Sequence, residues 1–270
     1  MNANMTIIAS GKVHDGIVLA TDSMSQLIIR NASGQAGVAK TYCNARKLLQ
    51  IEQLPIGVMS YGIGNIGERS IESLVLEYSR DMGKYVNGEY TVEAVSRGLY
   101  TFIEKYYLSA FDKVSAAERE KTLRLGMFIG GYSPGKYLAD QWEFELPTMG
   151  IKKVRDENQF GSSWRGVPVP FGRLYNGYDP RIPQQLKSLG VSDEILKQVF
   201  DVKHWRMPIA YDGMPVQDAL NFAVYILETT ISAATFELGP TPSCGGPLQV
   251  VVILPPDKWQ WVEQPKLRIQ

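Results

Sequence analysis

The stretch from Thr6 to Asp22, TIIASGKVHDGIVLATD, constrains the fold more than any other part of the chain. Two runs rich in Ile and Val, TIIASGKV and GIVLATDS, flank His14-Asp15-Gly16, and Gly after Asp between β-prone runs spells strand, turn, strand. The register of this hairpin has two solutions. A three-residue loop over 14–16, a type I turn closed by Gly16 in the left-handed region, sets Val13 opposite Ile17 and Thr6 opposite Met24, and Asp22 then shares the face of Thr6. Diagonal neighbours on one face lie about 7–8 Å apart, which leaves space for a third charged group between hydroxyl and carboxylate. A two-residue loop turns Asp22 to the opposite face, because side chains alternate along a strand with period two.

Beyond the hairpin, the polar stretch Gln26–Asn44 reads as an extended loop or irregular strand pair. Ala45–Ile51 and Pro55–Tyr61 form a second pair of strands joined by Glu52–Leu54. The period then changes. Ile71, Leu74, Val75 and Tyr78 recur at helical spacing within Glu68–Met82, as do Val92, Val95, Leu99, Phe102, Ile103 and Tyr106 within Thr91–Phe111. Thr91 and Ser115 suit helix N-caps, the latter with Glu118 three residues on, as in a capping box. Leu123–Glu145 reads as a hairpin around Ser133-Pro134-Gly135. The Gly- and Pro-rich passage that follows, through Pro183, is loop-like. Ser192–Val199 and Val216–Ala234 read as helices, Pro247–Leu254 as a strand covered on both faces, and Trp259–Val262 as its neighbour. Strands, two helices, strands, helices, strands in that order give an α+β fold with sheets stacked between helical layers.

At 270 residues the chain can bury one large core, and residues 6–270 are expected to form a single domain. Lys plus Arg equals Asp plus Glu at 28 each, so net charge points to neither nucleic acid nor an anionic membrane. No apolar run reaches the length of a membrane span and MNANM opens no signal sequence, so a cytoplasmic location is expected. Cys43 and Cys244 cannot make a disulfide framework, and with only His14 and His204 present neither a metal site nor another cofactor is expected.

Two glycine-rich segments imitate phosphate loops. Gly62-Ile63-Gly64-Asn65-Ile66-Gly67 is a GxGxxG between a strand and a helix, but a second helix stands where a dinucleotide fold needs a parallel strand ending in an acidic residue. It is read as a tight strand-to-helix corner. Gly130–Lys136, GGYSPGK, is followed by Tyr137 rather than Ser or Thr and reads as a hairpin tip. Neither histidine has a nucleophile motif beside it, and Cys244 before Gly245-Gly246 reads as a small packed residue. Thr6, Asp22 and Lys47 remain. A hydroxyl is a weak nucleophile until a base takes its proton, and a chain-terminal Thr carries such a base in its own α-amine. That amine, with a pKa of about 7.7–8.0, is partly neutral at physiological pH. A neighbouring ammonium lowers the pKa of the amine, and an Asp keeps that ammonium charged and oriented.

These residues together resemble the β-type subunits of the proteasome and their bacterial relatives, the HslV-type peptidases and Anbu, among the N-terminal nucleophile hydrolases. Thr6, Gly16 and Ala20-Thr21-Asp22-Ser23 match that family's N-terminal Thr, hairpin glycine and ADS-type element without a gap. After a longer loop, Arg46-Lys47 with LLQI resembles its basic, Lys, apolar strand, and Gly57–Gly62 its next strand. Ser243-Cys244-Gly245-Gly246 is similar to its late Ser-Gly-Gly. The resemblance implies a four-layer αββα sandwich, with Thr6 as nucleophile, Asp22 and Lys47 as activators, and the amide of Tyr61 or Gly62 in the oxyanion hole. It implies a homo-oligomer, as ring or open helix, acting on peptides or unfolded protein, with an ATPase unfoldase as further partner. Residues 1–5 are then either a propeptide or lie upstream of a start at Met5. Thr241 falls at the family's acidic position, Cys244 at its serine, and Gly161-Ser162-Ser163 near its Gly-Ser element. The leading reading is a threonine peptidase working through an acyl-enzyme on Thr6; these departures leave a silent structural subunit of the same fold as the alternative. A nucleotide-binding protein using Gly62–Gly67 is a third reading.

Overall fold

Every residue of the first strand, β1 (Ile7–Val13), is buried, as is every residue of β2 (Gly16–Thr21), so this hairpin is covered on both faces. The computed structural model describes residues 6–30, 36–82, 90–239 and 241–264. It continues with β3 (Ser25–Arg30), β4 (Ala36–Tyr42), β5 (Leu48–Gln50), β6 (Ile56–Gly62) and the two-residue strands β7 (Asn65–Ile66) and β8 (Arg69–Ser70). Helices α1 (Ile71–Met82), α2 (Val92–Ala110) and α3 (Ala116–Thr122) follow, then β9 (Leu125–Gly131), β10 (Asp140–Leu146), β11 (Met149–Lys153) and β12 (Gly161–Gly166). The chain closes through α4 (Val169–Asn176), α5 (Ile182–Ser188), α6 (Asp193–Val199), α7 (Val202–Trp205), α8 (Val216–Thr235), β13 (Gln249–Leu254) and β14 (Lys258–Glu263).

The fold is mixed α+β, with two five-stranded sheets ordered β12-β1-β2-β13-β14 and β11-β10-β9-β6-β5. All pairings are antiparallel. Ile8, Ile17 and Leu19 of the first sheet share one apolar cluster with Leu48, Met59 and Phe128 of the second. Ile7, Ala9 and Val18 pack instead with Ala223 and Ile226 of α8 and Phe171 of α4. Val58, Met127 and Ile129 pack with Leu74 and Val75 of α1 and Val95, Leu99 and Ile103 of α2. Alternate residues of one strand thus serve different clusters, and each fully buried Leu, Ile or Val contributes about 1.5–3 kcal/mol relative to exposure. Arg165 of β12 joins the sheets through both oxygens of Glu143 on β10, at 2.8 and 3.1 Å.

The faces of α1 and α2 expected from spacing are buried, Phe102 and Tyr106 only partly, and the caps form: Thr91 accepts from Ala94 N–H at 3.0 Å and Ser115 from Glu118 N–H at 3.2 Å. Two expectations are corrected, and one open choice is decided. The first helix starts at Ile71 rather than Glu68, because Asn65–Ser70 is taken up by the β7–β8 pairing. The passage expected to be loop contains β11, β12 and α4, the last begun by Pro170 in its first turn and ended by Gly177 in the left-handed region. The first hairpin closes with the two-residue register, Val13 opposite Gly16 and Ile8 opposite Thr21. Gly16 accordingly has no positive φ. Its reason is close approach: a Cβ there would stand 2.9 Å from Val216 Cγ2 and 3.1 Å from Leu254 Cδ2.

Candidate active site

Strand alternation sends the Asp22 side chain away from Thr6 in the observed register, yet the two residues share one ammonium. Lys47 Nζ donates to Thr6 Oγ1 at 2.8 Å and to Asp22 Oδ1 at 3.0 Å. Parity fails here because neither residue lies within a strand: Thr6 precedes β1 and Asp22 follows β2. The Asp22 carboxylate is instead aimed by local amides. Oδ1 accepts from Ile7 N–H at 3.1 Å, and Oδ2 from Met24 N–H at 3.2 Å and Gly245 N–H at 3.0 Å.

All three side chains are buried, with relative exposures of 3% for Thr6, 0% for Asp22 and 8% for Lys47. Burial pushes the Asp22 carboxyl up, opposed by the Lys47 charge and by the Gly245 and Ile7 amides. Burial likewise lowers the Lys47 ammonium from its usual value, opposed by Asp22. Four donors and no second carboxylate surround Asp22, so the geometry serves its ionised form. Lys12 offers a contrast. It is fully buried, but its ammonium is used on the carbonyls of Asp156 (3.3 Å) and Glu157 (2.7 Å), and desolvation brings its pKa down to about 8. That lysine ties a loop, whereas Lys47 faces a hydroxyl.

A cleft of about 270 Å³ opens on Thr6 and Lys47, walled by Met24, Gln26, Ile63 and the ion pair of Arg46 with Glu72. Along β6, Ser60 N–H donates to the Lys47 carbonyl at 3.1 Å and Ile63 N–H to the Arg124 carbonyl at 2.9 Å. Because N–H groups alternate, the Tyr61 amide shares the β9 side with Ile63 and is removed from the candidate oxyanion donors. The Gly62 amide points the Ser60 way, past the end of β5, where Gly62 lines the cleft with Thr6. The Tyr61 ring is buried over Gly126, and burial raises its hydroxyl pKa.

The other candidates separate cleanly. The Gly161–Ser163 element pairs with Ser10–Lys12 at the far end of β1, and Arg155 occupies the Ser162 carbonyl and the Ser163 hydroxyl. The residue of β12 that reaches Thr6 is Gly166, opposite Ile7. Thr241 accepts from the Gln26 amide at 3.0 Å. The Cys244 thiol is pushed up to about 12, first by burial and then by Asp22, which disfavours the thiolate that a nucleophile needs. His14 lies on the surface beside Asp212 at 2.7 Å. Among the described residues, no group of His, Cys, Asp and Glu is placed to hold a metal ion, and no helix is long and apolar enough to cross a membrane. Two further residues matter to the geometry: Gly245, named from sequence only as part of the Ser243-Cys244-Gly245-Gly246 motif and without this role, and Gln249, which was not singled out. Gly245 holds Asp22, and Gln249 holds the Lys47 backbone through Lys47 N–H at 3.1 Å. A polar residue opening an otherwise apolar strand run is the signal that Gln249 carried.

Gly62–Gly67 contributes one wall of this cleft, and its later residues belong to the β7–β8 hairpin instead of a helix N-terminus. Titration with NAD and with ATP is therefore expected to be flat. Saturable submillimolar binding that disappears in Gly64→Val would revive the nucleotide reading. Compared with known proteins, the chain matches no family model, and no curated protein matches it significantly. The functional reading accordingly rests on residues and geometry.

Proposed function

We propose that this chain is a threonine peptidase that hydrolyses peptide bonds through an acyl-enzyme on Thr6. The observation that carries the reading is the Lys47 ammonium held between Thr6 Oγ1 (2.8 Å) and the buried Asp22 carboxylate (3.0 Å). With Thr6 at the chain terminus, its neutral α-amine takes the Oγ1 proton as the oxygen attacks the scissile carbonyl. The Lys47 ammonium stabilises charge developing on Oγ1, and the Gly62 amide donates to the carbonyl oxygen as it becomes an oxyanion. The protonated amine then passes its proton to the departing amine of the substrate. Water, deprotonated by the same α-amine, attacks the ester, releases the acid and restores Thr6.

The layering supports the same reading. Two sheets share one apolar cluster, with α4 and α8 packed on one and α1 and α2 on the other, an arrangement that fits a four-layer αββα sandwich resembling the proteasome β-type subunits. Under this reading the protein works in the cytoplasm as a homo-oligomer, ring or open helix, on peptides or unfolded protein, with an ATPase unfoldase as a further partner and no cofactor.

One observation favours the alternative of a silent structural subunit: Thr6 is buried, and in the written sequence Met1–Met5 precede it. An acylated nitrogen has no basicity to offer. Residues 1–5 lie outside the described structure. The experiment is intact-mass measurement with N-terminal sequencing on assembled protein from the native host. The peptidase reading expects Thr6 as first residue, whether by removal of an initiator at Met5 or by autolysis of the Met5-Thr6 bond. Quantitative retention of residues 1–5 would leave the structural subunit as the better answer.

A further inference from the structure

We infer that Gln249 is a positioning residue for Lys47, and that the segment 245–249 sets the separation between Lys47 and Asp22. The inference rests on the proposed roles of Thr6 and Lys47. Gln249 opens β13, is fully buried and pairs with Thr21 of β2, one residue before Asp22. Its side chain crosses to the segment that carries Lys47. Oε1 accepts from Lys47 N–H at 3.1 Å and from Leu48 N–H at 3.2 Å, and Nε2 donates to the Ala45 carbonyl at 2.6 Å. These partners fix the amide orientation, since a flip would set two N–H donors against an NH₂ group.

Residues 44–47 belong to no regular element, so Lys47 has no strand ladder on that side. Gln249 replaces the ladder. Together with Ser60 N–H on the Lys47 carbonyl (3.1 Å), it pins both backbone polar groups of Lys47. Four residues earlier, Gly245 N–H holds Asp22 Oδ2 at 3.0 Å, and the Gly245 carbonyl accepts from Ser23 N–H (3.2 Å) and Met24 N–H (2.8 Å). One short stretch of chain thus holds the carboxylate at one end and the lysine at the other. A side chain with both an acceptor and a donor is needed to serve Lys47, Leu48 and Ala45 at once, and Gln supplies both without charge.

The test uses assembled protein with a mature Thr6, a fluorogenic peptide, and backbone hydrogen exchange over residues 45–51. Gln249→Met keeps the volume and loses both polar groups. It is expected to lower kcat about 10- to 100-fold by misplacing the ammonium, with KM changed less than about twofold, and to accelerate exchange at Lys47 and Leu48 but not across β2. Gln249→Glu keeps the acceptor and loses the donor. Its deficit relative to wild type is expected to narrow as pH falls, because the protonated carboxyl regains an O–H to offer Ala45, a readout that general destabilisation would not produce. If Gln249→Met does not accumulate, this pH readout decides alone. Wild-type kcat in Gln249→Met, or a Gln249→Glu deficit constant with pH, overturns the inference. Turnover surviving in Thr6→Ala would overturn the peptidase reading instead, while accelerated exchange at Lys47 and Leu48 would still report the clamp.

Discussion

In mature, assembled protein, Thr6→Ala and Lys47→Ala are each expected to lower kcat for a fluorogenic peptide by about 10³-fold or more, with assembly retained. Both changes act on one event, transfer of the hydroxyl proton, so the double variant is expected to be no worse than either single one. Asp22→Asn is expected to be similarly severe, because it removes the charge that Lys47 Nζ meets at 3.0 Å. The pH profile follows from the same groups. On the proposed mechanism, activity is expected to rise with pH as the Thr6 amine loses its proton and to fall again as Lys47 loses its own. Burial lowers the Lys47 pKa, so the alkaline limb is expected below the pH at which an exposed lysine deprotonates. Steady-state kinetics across pH, with native mass measurement of assembly, check the set. Wild-type turnover in Thr6→Ala would remove the nucleophile and the mechanism with it.

Gly166→Ala is expected to cost about 2–4 kcal/mol of stability, combining backbone strain with overpacking. Gly166 has a φ of 89°, and a Cβ built on it would lie 1.9 Å from the Thr6 carbonyl oxygen. That oxygen already accepts from Val167 N–H at 3.0 Å, so the backbone of Thr6 is held by the end of β12. Relief of the clash must move either β12 or Thr6. Denaturant unfolding is expected to show a lower midpoint, and the residual folded protein a lower kcat. An unchanged midpoint would show that the two backbones separate at little cost.

The sequence carried the elements whose signals are local. Tyr78 and Leu99 follow a helical period, Ser115 and Glu118 form a cap three residues apart, and the short apolar run Val250–Ile253 has the length of a strand covered on both faces. It carried α4 less well, because Pro168, Pro170 and Gly172 crowd the start of a helix whose Gly177 terminator reads equally as loop. The candidate site was legible as residue types, Thr6, Asp22 and Lys47, but not as geometry. The close packing of Val216 and Leu254 against Gly16 is made by residues some two hundred positions away, a contact that no local signal reveals. Period-two reasoning then gave the wrong face for Asp22 once the register was two-residue, because at the end of the hairpin the carboxylate turns to the amides of Ile7, Met24 and Gly245. Choosing between the Tyr61 and Gly62 amides needed the partners of Ser60 and Ile63, which no residue type encodes.

The amide that secures Asp22 comes from a residue 223 positions later in the chain. During synthesis, Gly245 leaves the ribosome 223 residues after Asp22, and Gln249 leaves it 202 residues after Lys47. Closing so long a loop is slow, and β13 has to insert beside β2 before Asp22 and Lys47 are both held. The order of translation therefore separates the presence of Thr6, Asp22 and Lys47 from their alignment, and a chain truncated before β13 carries all three residues without the contacts that align them.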